Sequence, residues 1–262
     1  MANKHLAKAR SVKNDEFYTQ FHYIEKEINA YLEYDPCTFK DKVVLLPCDD
    51  PEWSHFTHYF ILNFESLGLK KLISTCIELN GEPAKKFVME KEDIGKVKPG
   101  KIHYECLEGN GDYRSMEITE LRDEADIIVT NPPFSKFKDF FAWIMNGNKL
   151  FLVIGNQNAI TYSEVFPYIK RNRVWLGATN FSEDMVFEVP EGVEVKQEYK
   201  EKAERLGYKG NYTRLGNSCW FTNLDHGRRH MPIPLMTTRD NMKYSKHKEL
   251  RGKTGYSKYE NY

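Results

Sequence analysis

Residues 125–137 read ADIIVTNPPFSKF: an apolar run, then an asparagine, two prolines and a phenylalanine. The run Ala125, Asp126, Ile127, Ile128, Val129 has the near-continuous apolar character of a strand buried on both faces. It stops at Pro132 and Pro133, because a proline lacks a backbone donor and has a fixed φ. Each proline also pushes the residue before it toward an extended conformation, so Asn131 and Pro132 should stand stiffly just beyond the strand end. Ser135 is placed to cap a helix over KFKDFFAWIM, in which Phe137, Phe140, Phe141 and Ile144 fall at i, i+3, i+4 and i+7. KLFLVIG then reads as the next buried strand.

The same alternation extends upstream. IEKEINAYL spaces Ile24, Ile28 and Leu32 four apart, as one helix face requires. KVVLLP is a short buried strand. WSHFTHYFILNFESLG carries Phe56, Phe60, Phe64 and Leu67 on one stripe before Gly68, a natural helix stop. KKLISTCIEL is a second buried strand, which completes a strand-helix-strand unit. Residues 80–111 are less regular, with KKFVME and KIHYECL as strand candidates of open pairing. Ser115 can cap MEITELRDE. These elements predict an α/β fold, a doubly wound, mostly parallel Rossmann-like sheet with a basic C-terminal extension, and place ligands beyond the C-terminal ends of the strands. The expected domains are 1–225, holding the sheet, and 226–262, a basic segment.

The 262 residues carry no formal net charge, but the charge is unevenly spread. Between Arg205 and Lys253 the basic residues are opposed only by Asp225, Asp240 and Glu249. Such a stretch suits a polyanion, and Arg228, Arg229, Lys243, Lys246 and Lys248 are its candidate phosphate contacts. The five cysteines form no C-x-x-C pair, which suggests neither a disulfide framework nor a zinc site. With a polar, basic start and no run of eighteen apolar residues, the chain is expected to be soluble and cytoplasmic, with no membrane and no metal.

The chemistry that residues 131–134 can perform is specific. In an exocyclic amine such as adenine N6, the nitrogen lone pair is delocalised into the ring and must be rehybridised before it accepts a methyl group. Two acceptors aimed at the two N–H groups achieve this, and Asn131 (carboxamide oxygen) and Pro132 (backbone carbonyl) are held to do so. Phe134 offers a flat face for a base taken out of its stack. The plainer alternative is a rigid loop that simply ends a buried strand.

The NPPF motif is that of S-adenosylmethionine-dependent amino-methyltransferases. With DEFYTQ (15–20), CDDPEWSHFTHYF (48–60), GDYRS (111–115), VIGNQNAITY (153–162) and WFTNLDH (220–226), nearly the whole chain resembles the EcoRI type of adenine-specific DNA methyltransferase. The resemblance implies that Phe17, Tyr18 and Thr19 line the cofactor. It also implies that Asp49, Asp50 and Pro51 form the loop after the first strand. No glycine lies there, which departs from most methyltransferases, but carboxylates suit a ligand bearing an ammonium and a sulfonium better than a phosphate-bearing dinucleotide. Glu78 is the candidate for the ribose hydroxyls and Asp112 for the cofactor adenine. Each acid has a plainer reading as a cap, turn or solvated loop residue. The implied activity is methyl transfer to the N6 amine of adenine in DNA with base flipping. RNA adenine methylation, protein glutamine methylation and an inactive nucleic-acid-binding module are the alternatives. A cognate restriction endonuclease is a possible partner. Proteins of this type continue further, so the segment from His226 is expected to open a target-recognition region.

Overall fold

A computed structural model describes residues 18–78, 81–179, 185–189, 195–215, 217–232 and 235–244. Phe17, Lys246 and Lys248 lie outside the described residues. By internal contacts the chain forms two units, residues 1–229 and residues 230–262.

The first unit is built on an eight-stranded sheet. In chain order its strands are β2 (Val43–Leu46), β3 (Lys71–Cys76), β4 (Lys85–Glu90), β5 (Glu105–Cys106), β6 (Ile127–Thr130), β7 (Leu150–Asn156), β8 (Trp175–Leu176) and β11 (Ser218–Thr222). Their spatial order is β5-β4-β3-β2-β6-β7-β11-β8. The neighbours β3-β2, β2-β6 and β6-β7 run parallel, whereas β4, β5 and β11 add antiparallel pairings. The sheet is thus mixed but parallel in its core, as expected there, with parallel order across its four central strands and antiparallel strands at both edges. KKFVME turns back on β3 as a hairpin partner, and of KIHYECL only Glu105–Cys106 is strand.

All four residues of β2 and of β6 are buried, as strands covered on both faces must be. Alternate side chains feed two cores. Val44, Leu46, Ile127 and Val129 join Ile24, Ile28 and Tyr31 of α1 (Phe21–Tyr34) and Phe56 and Phe60 of α2 (His55–Leu62). Val43, Leu45 and Ile128 join Ile118 of α3 (Met116–Glu124) and Phe140, Phe141 and Ile144 of α4 (Phe137–Asn146). Gly155 permits this second layer, because a Cβ there would enter the Phe137 ring.

Ser115 caps α3 by accepting from Ile118 N at 3.3 Å. Ser135 does not cap α4. Residues Phe134–Lys136 form a 3-10 turn first, and α4 starts at Phe137 with no side-chain cap. The proline pair thus leads into a tight turn whose residues are positioned by neighbours.

A second sheet, of three antiparallel strands, joins β1 (Tyr18–Thr19), β9 (Met185–Glu188) and β10 (Tyr212–Leu215) in the order β1-β9-β10. In the second unit, Thr237 accepts from Asp240 N at 3.1 Å at the start of the helix Thr238–Tyr244, which carries Lys243 near its end. Among the described residues no helix is long and apolar enough to cross a membrane.

Candidate active site

The strand order reverses at β2, which has β3 on one side and β6 on the other. Such a switch point leaves a crevice beyond the carboxyl ends of the two strands. A cleft opens there. Its lining draws on five separate segments: Tyr18 and Thr19; Asp49, Asp50, Ser54 and His55; Cys76 and Ile77; Asp112 and Tyr113; Asn131, Pro133 and Lys136.

Of the predicted site residues, Tyr18, Thr19, Asp49, Asp50, Asp112 and Asn131 meet in this cleft. Pro51 and Pro132 are buried beside it. Glu78 is exposed and not part of the lining; its amide donates to Asn110 O at 2.9 Å. Phe134 is half-buried, with its ring edge-to-face against Phe187 at 6.5 Å. Phe187 and Thr19 are register partners across β9 and β1, so their side chains share one face of the small sheet. That sheet therefore links Thr19 of the cleft lining to the phenylalanine of the NPPF turn.

The acidic loop is organised by charge. Asp50 Oδ1 accepts from Glu52 N at 2.8 Å, and Oδ2 faces Lys85 Nζ at 3.5 Å and Cys76 Sγ at 3.4 Å. Lys85 is also held by Glu52 at 2.6 Å and Glu82 at 3.1 Å. Burial works to lower the Lys85 pKa, but its three carboxylate neighbours outweigh this and raise it. Three carboxylates on one ammonium leave a net negative environment, which favours a cationic ligand. Burial pushes the Cys76 thiol up to about 12, so it stays protonated and inert at neutral pH.

Asp112 is gripped by Arg114, with Nε donating to Oδ1 at 2.9 Å and Nη2 to Oδ2 at 2.7 Å, which lowers its carboxyl to about 2. Burial pushes Asp49 up to about 7, against hydrogen bonds from Ser54 and Thr130. Both Asp49 oxygens are thus occupied by protein hydroxyls, which points to bracing where a ligand contact was expected.

Tyr113 is the principal addition to the predicted set. It is 4% exposed, and its hydroxyl has no hydrogen-bond partner among the described residues, as is true of Thr19 Oγ1. Two unsatisfied buried hydroxyls in one cleft call for a ligand with polar atoms. With the net negative charge near Asp50, they fit S-adenosylmethionine, which bears a ribose, an amino group and a sulfonium. Tyr113 adjoins Asp112 within GDYRS, a signal open to the sequence. Lys85 carried none, since β4 meets the loop only through the hairpin.

The two predicted arginines of the first unit are engaged elsewhere. β11 is antiparallel to β7, with Thr222 opposite Leu152, so the chain leaves it toward the sheet edge remote from the cleft. Arg229 stacks on Trp175 at 3.7 Å and donates to Asp225 at 3.1 Å and Asn172 at 2.8 Å. Arg228 donates to Ala178 O at 2.9 Å. Among the described residues no group of His, Cys, Asp or Glu is arranged to hold a metal.

An open α/β sheet with an NPPF turn and an acidic donor loop at its switch point defines an amino-methyltransferase. The chain belongs to the adenine-specific methyltransferase EcoRI family, whose model matches residues 5–261. Adenine methylation of DNA with S-adenosylmethionine as donor is the function of this family. The chain is 42% identical to the type II methyltransferase M.EcoRI of Escherichia coli, over 99% of its own length and 77% of that protein. It is 36% identical to M.MgeORF184P of Mycoplasma genitalium and 34% identical to M.MpnI of Mycoplasma pneumoniae. These matches cover 84% and 83% of the chain, and it spans 65% and 63% of those two relatives. No solved structure matches the chain.

Proposed function

We propose that this chain transfers a methyl group from S-adenosylmethionine to the N6 amine of an adenine flipped out of DNA. The observation that carries the reading is that Asn131 lines the same cleft as the acidic loop at Asp50 and the hydroxyls of Thr19 and Tyr113. When bound, the donor supplies a methyl group activated by its sulfonium. Asp50 and its neighbouring acids favour the positive charge, Thr19 and Tyr113 satisfy polar atoms of the donor, and Asp112 holds its adenine. Asn131 accepts from the target amine through its carboxamide oxygen and Pro132 through its carbonyl, so that the nitrogen lone pair is freed. Phe134 stacks on the extruded base, and its own place is maintained by Phe187. No strong base is required, because the amine proton becomes acidic once the nitrogen is alkylated.

Incubation with methyl-labelled donor and, in parallel, DNA, RNA and protein substrates tests the reading. Label is expected in DNA as N6-methyladenine; label in RNA or protein with none in DNA refutes it. Asp50→Ala is expected to weaken donor binding about tenfold, the scale of one lost charge-assisted contact, with DNA affinity unchanged. An unchanged calorimetric affinity for the donor would reduce Asp50 to a turn cap and partner of Lys85.

Phosphate contacts by Lys243, Lys246 and Lys248 are part of the same proposal, with Arg228 and Arg229 contributing only if DNA draws them from their protein partners. A restriction endonuclease directed to the same DNA sequence is its proposed genetic partner, and a cytoplasmic location follows from a DNA substrate.

A further inference from the structure

Beneath the cleft lies a polar knot that the transfer step itself does not use. Asp49 is 5% exposed, and its two carboxylate oxygens are bonded to different elements. Ser54 Oγ donates to Oδ1 at 2.6 Å and Thr130 Oγ1 donates to Oδ2 at 2.6 Å. Its backbone engages a third element: Asp49 N donates to Thr75 O at 3.0 Å, and Ser74 Oγ donates to Asp49 O at 2.7 Å. Ser74 Oγ in turn lies 2.7 Å from Thr57 Oγ1 of α2. One residue therefore ties together the ends of β3 and β6 and the first turn of α2.

Stability alone is a poor account of this arrangement. Taking a carboxylate out of water is costly, and buried ionic groups can often be replaced by well-packed neutral ones without loss. What a carboxyl group held by two hydroxyls at 2.6 Å does provide is a short, stiff connection. Its two ends are placed where stiffness matters. Thr130 immediately precedes Asn131, the residue that must present its oxygen to the target amine. Ser54 is the N-cap of α2, accepting from Phe56 N at 3.1 Å, and immediately precedes His55 of the cleft lining. A shift of about 1 Å between donor and acceptor is enough to cost on the order of a hundredfold in rate.

We propose that Asp49 is a positioning residue for the methyl transfer, acting through Thr130 to fix Asn131 relative to the donor loop; the inference rests on the function proposed above. Asp49 acts through its hydroxyl partners. It makes the geometry of the acceptor turn depend on the loop that binds the donor.

Thr130→Val tests this, since it removes the hydroxyl while keeping the shape and the strand preference of the side chain, and Thr130→Ser restores the hydroxyl. Single-turnover methyl transfer, steady-state kcat and KM, donor affinity by calorimetry and the melting temperature are measured for both. For Thr130→Val, kcat is expected to fall 10- to 100-fold, with donor affinity and KM within about twofold of the parent. Thr130→Ser is expected to return kcat to within about threefold. Asp49→Asn should lower kcat to the level of Thr130→Val, and combining the two should add little, because both break the same connection. The inference is overturned if Thr130→Val keeps the parent kcat, if Thr130→Ser fails like Thr130→Val, or if donor affinity and melting temperature fall together with kcat. A parent chain that transfers methyl while Thr130→Val equals it sinks the inference alone. A parent that transfers none to any substrate sinks the proposed function and this inference with it.

Discussion

Asn131→Ala is expected to lower turnover at least about a hundredfold while leaving donor affinity within about twofold. The side chain sits on the two-proline turn beyond β6 and lines the cleft beside Pro133 and Lys136. In the proposed mechanism its carboxamide oxygen is one of two acceptors that turn the target nitrogen lone pair toward the methyl group. That interaction strengthens as the amine gains positive charge, so it belongs to the transition state more than to the ground state. Removing one preorganised partner of this kind costs roughly 10² to 10³ in kcat. Asn131→Asp separates geometry from chemistry, because it keeps an acceptor of the same size but adds a charge. Single-turnover rates at saturating donor and DNA provide the measurement. A rate for Asn131→Ala within threefold of the parent would exclude this residue from the transfer step.

Gly111→Ala is expected to destabilise the protein by about 2 to 5 kcal/mol and to weaken donor binding at least tenfold. Gly111 has φ +72°, a conformation that side chains with a Cβ adopt only under strain. A Cβ there would also be driven into the carbonyl oxygen of Cys76 and lie 2.9 Å from the Ala84 Cβ. Left-handed strain of about 1 to 2 kcal/mol and overpacking of about 1 to 3 kcal/mol are the two contributions. The loop cannot relax outward without consequence. Asn110 O accepts from Glu78 N at 2.9 Å, and Asp112 O accepts from Ser115 N at 2.8 Å, so residues 110–115 are fastened to β3 at one end and α3 at the other. Asp112 and Tyr113, both in the cleft lining, move with them. A calorimetric scan and a donor titration check the two effects separately. Normal donor affinity in a destabilised variant would show that loop 110–113 is not a wall of the donor site.

The strands at residues 43–46, 71–76, 127–130 and 150–156 were legible because burial on both faces demands uninterrupted apolar side chains. Strands β1 and β8 were not, since two residues carry no period. The proposed cap at Ser135 was wrong for a related reason: the 3-10 turn at Phe134–Lys136 delays the helix, and residues that suit a cap also suit a turn. Asn131, Asp50, Asp112, Tyr18 and Thr19, all picked out by motifs near strand ends or turns, meet in one cleft. That Asp49 bonds the Thr130 hydroxyl was not legible, because a carboxylate in a motif loop looks the same whichever partner it takes. The Phe134 to Phe187 contact joins a residue of the 3-10 turn to one of the small sheet 53 positions away, which no local pattern signals.

The sequence by itself determined the alternation of strands and helices, the stiff turn at Asn131 and the acid after the first strand, and through them the family. These are local consequences of side-chain period, proline geometry and charge. Only the tertiary structure decided the direction of β4 and β11, the use of Arg229 on Trp175, the clasp of Lys85 on the donor loop and the tie from Asp49 to Thr130. Those depend on which distant segments the chain reversals bring side by side. A buried polar atom takes whichever partner that packing supplies, and the identity of the residue alone does not specify it.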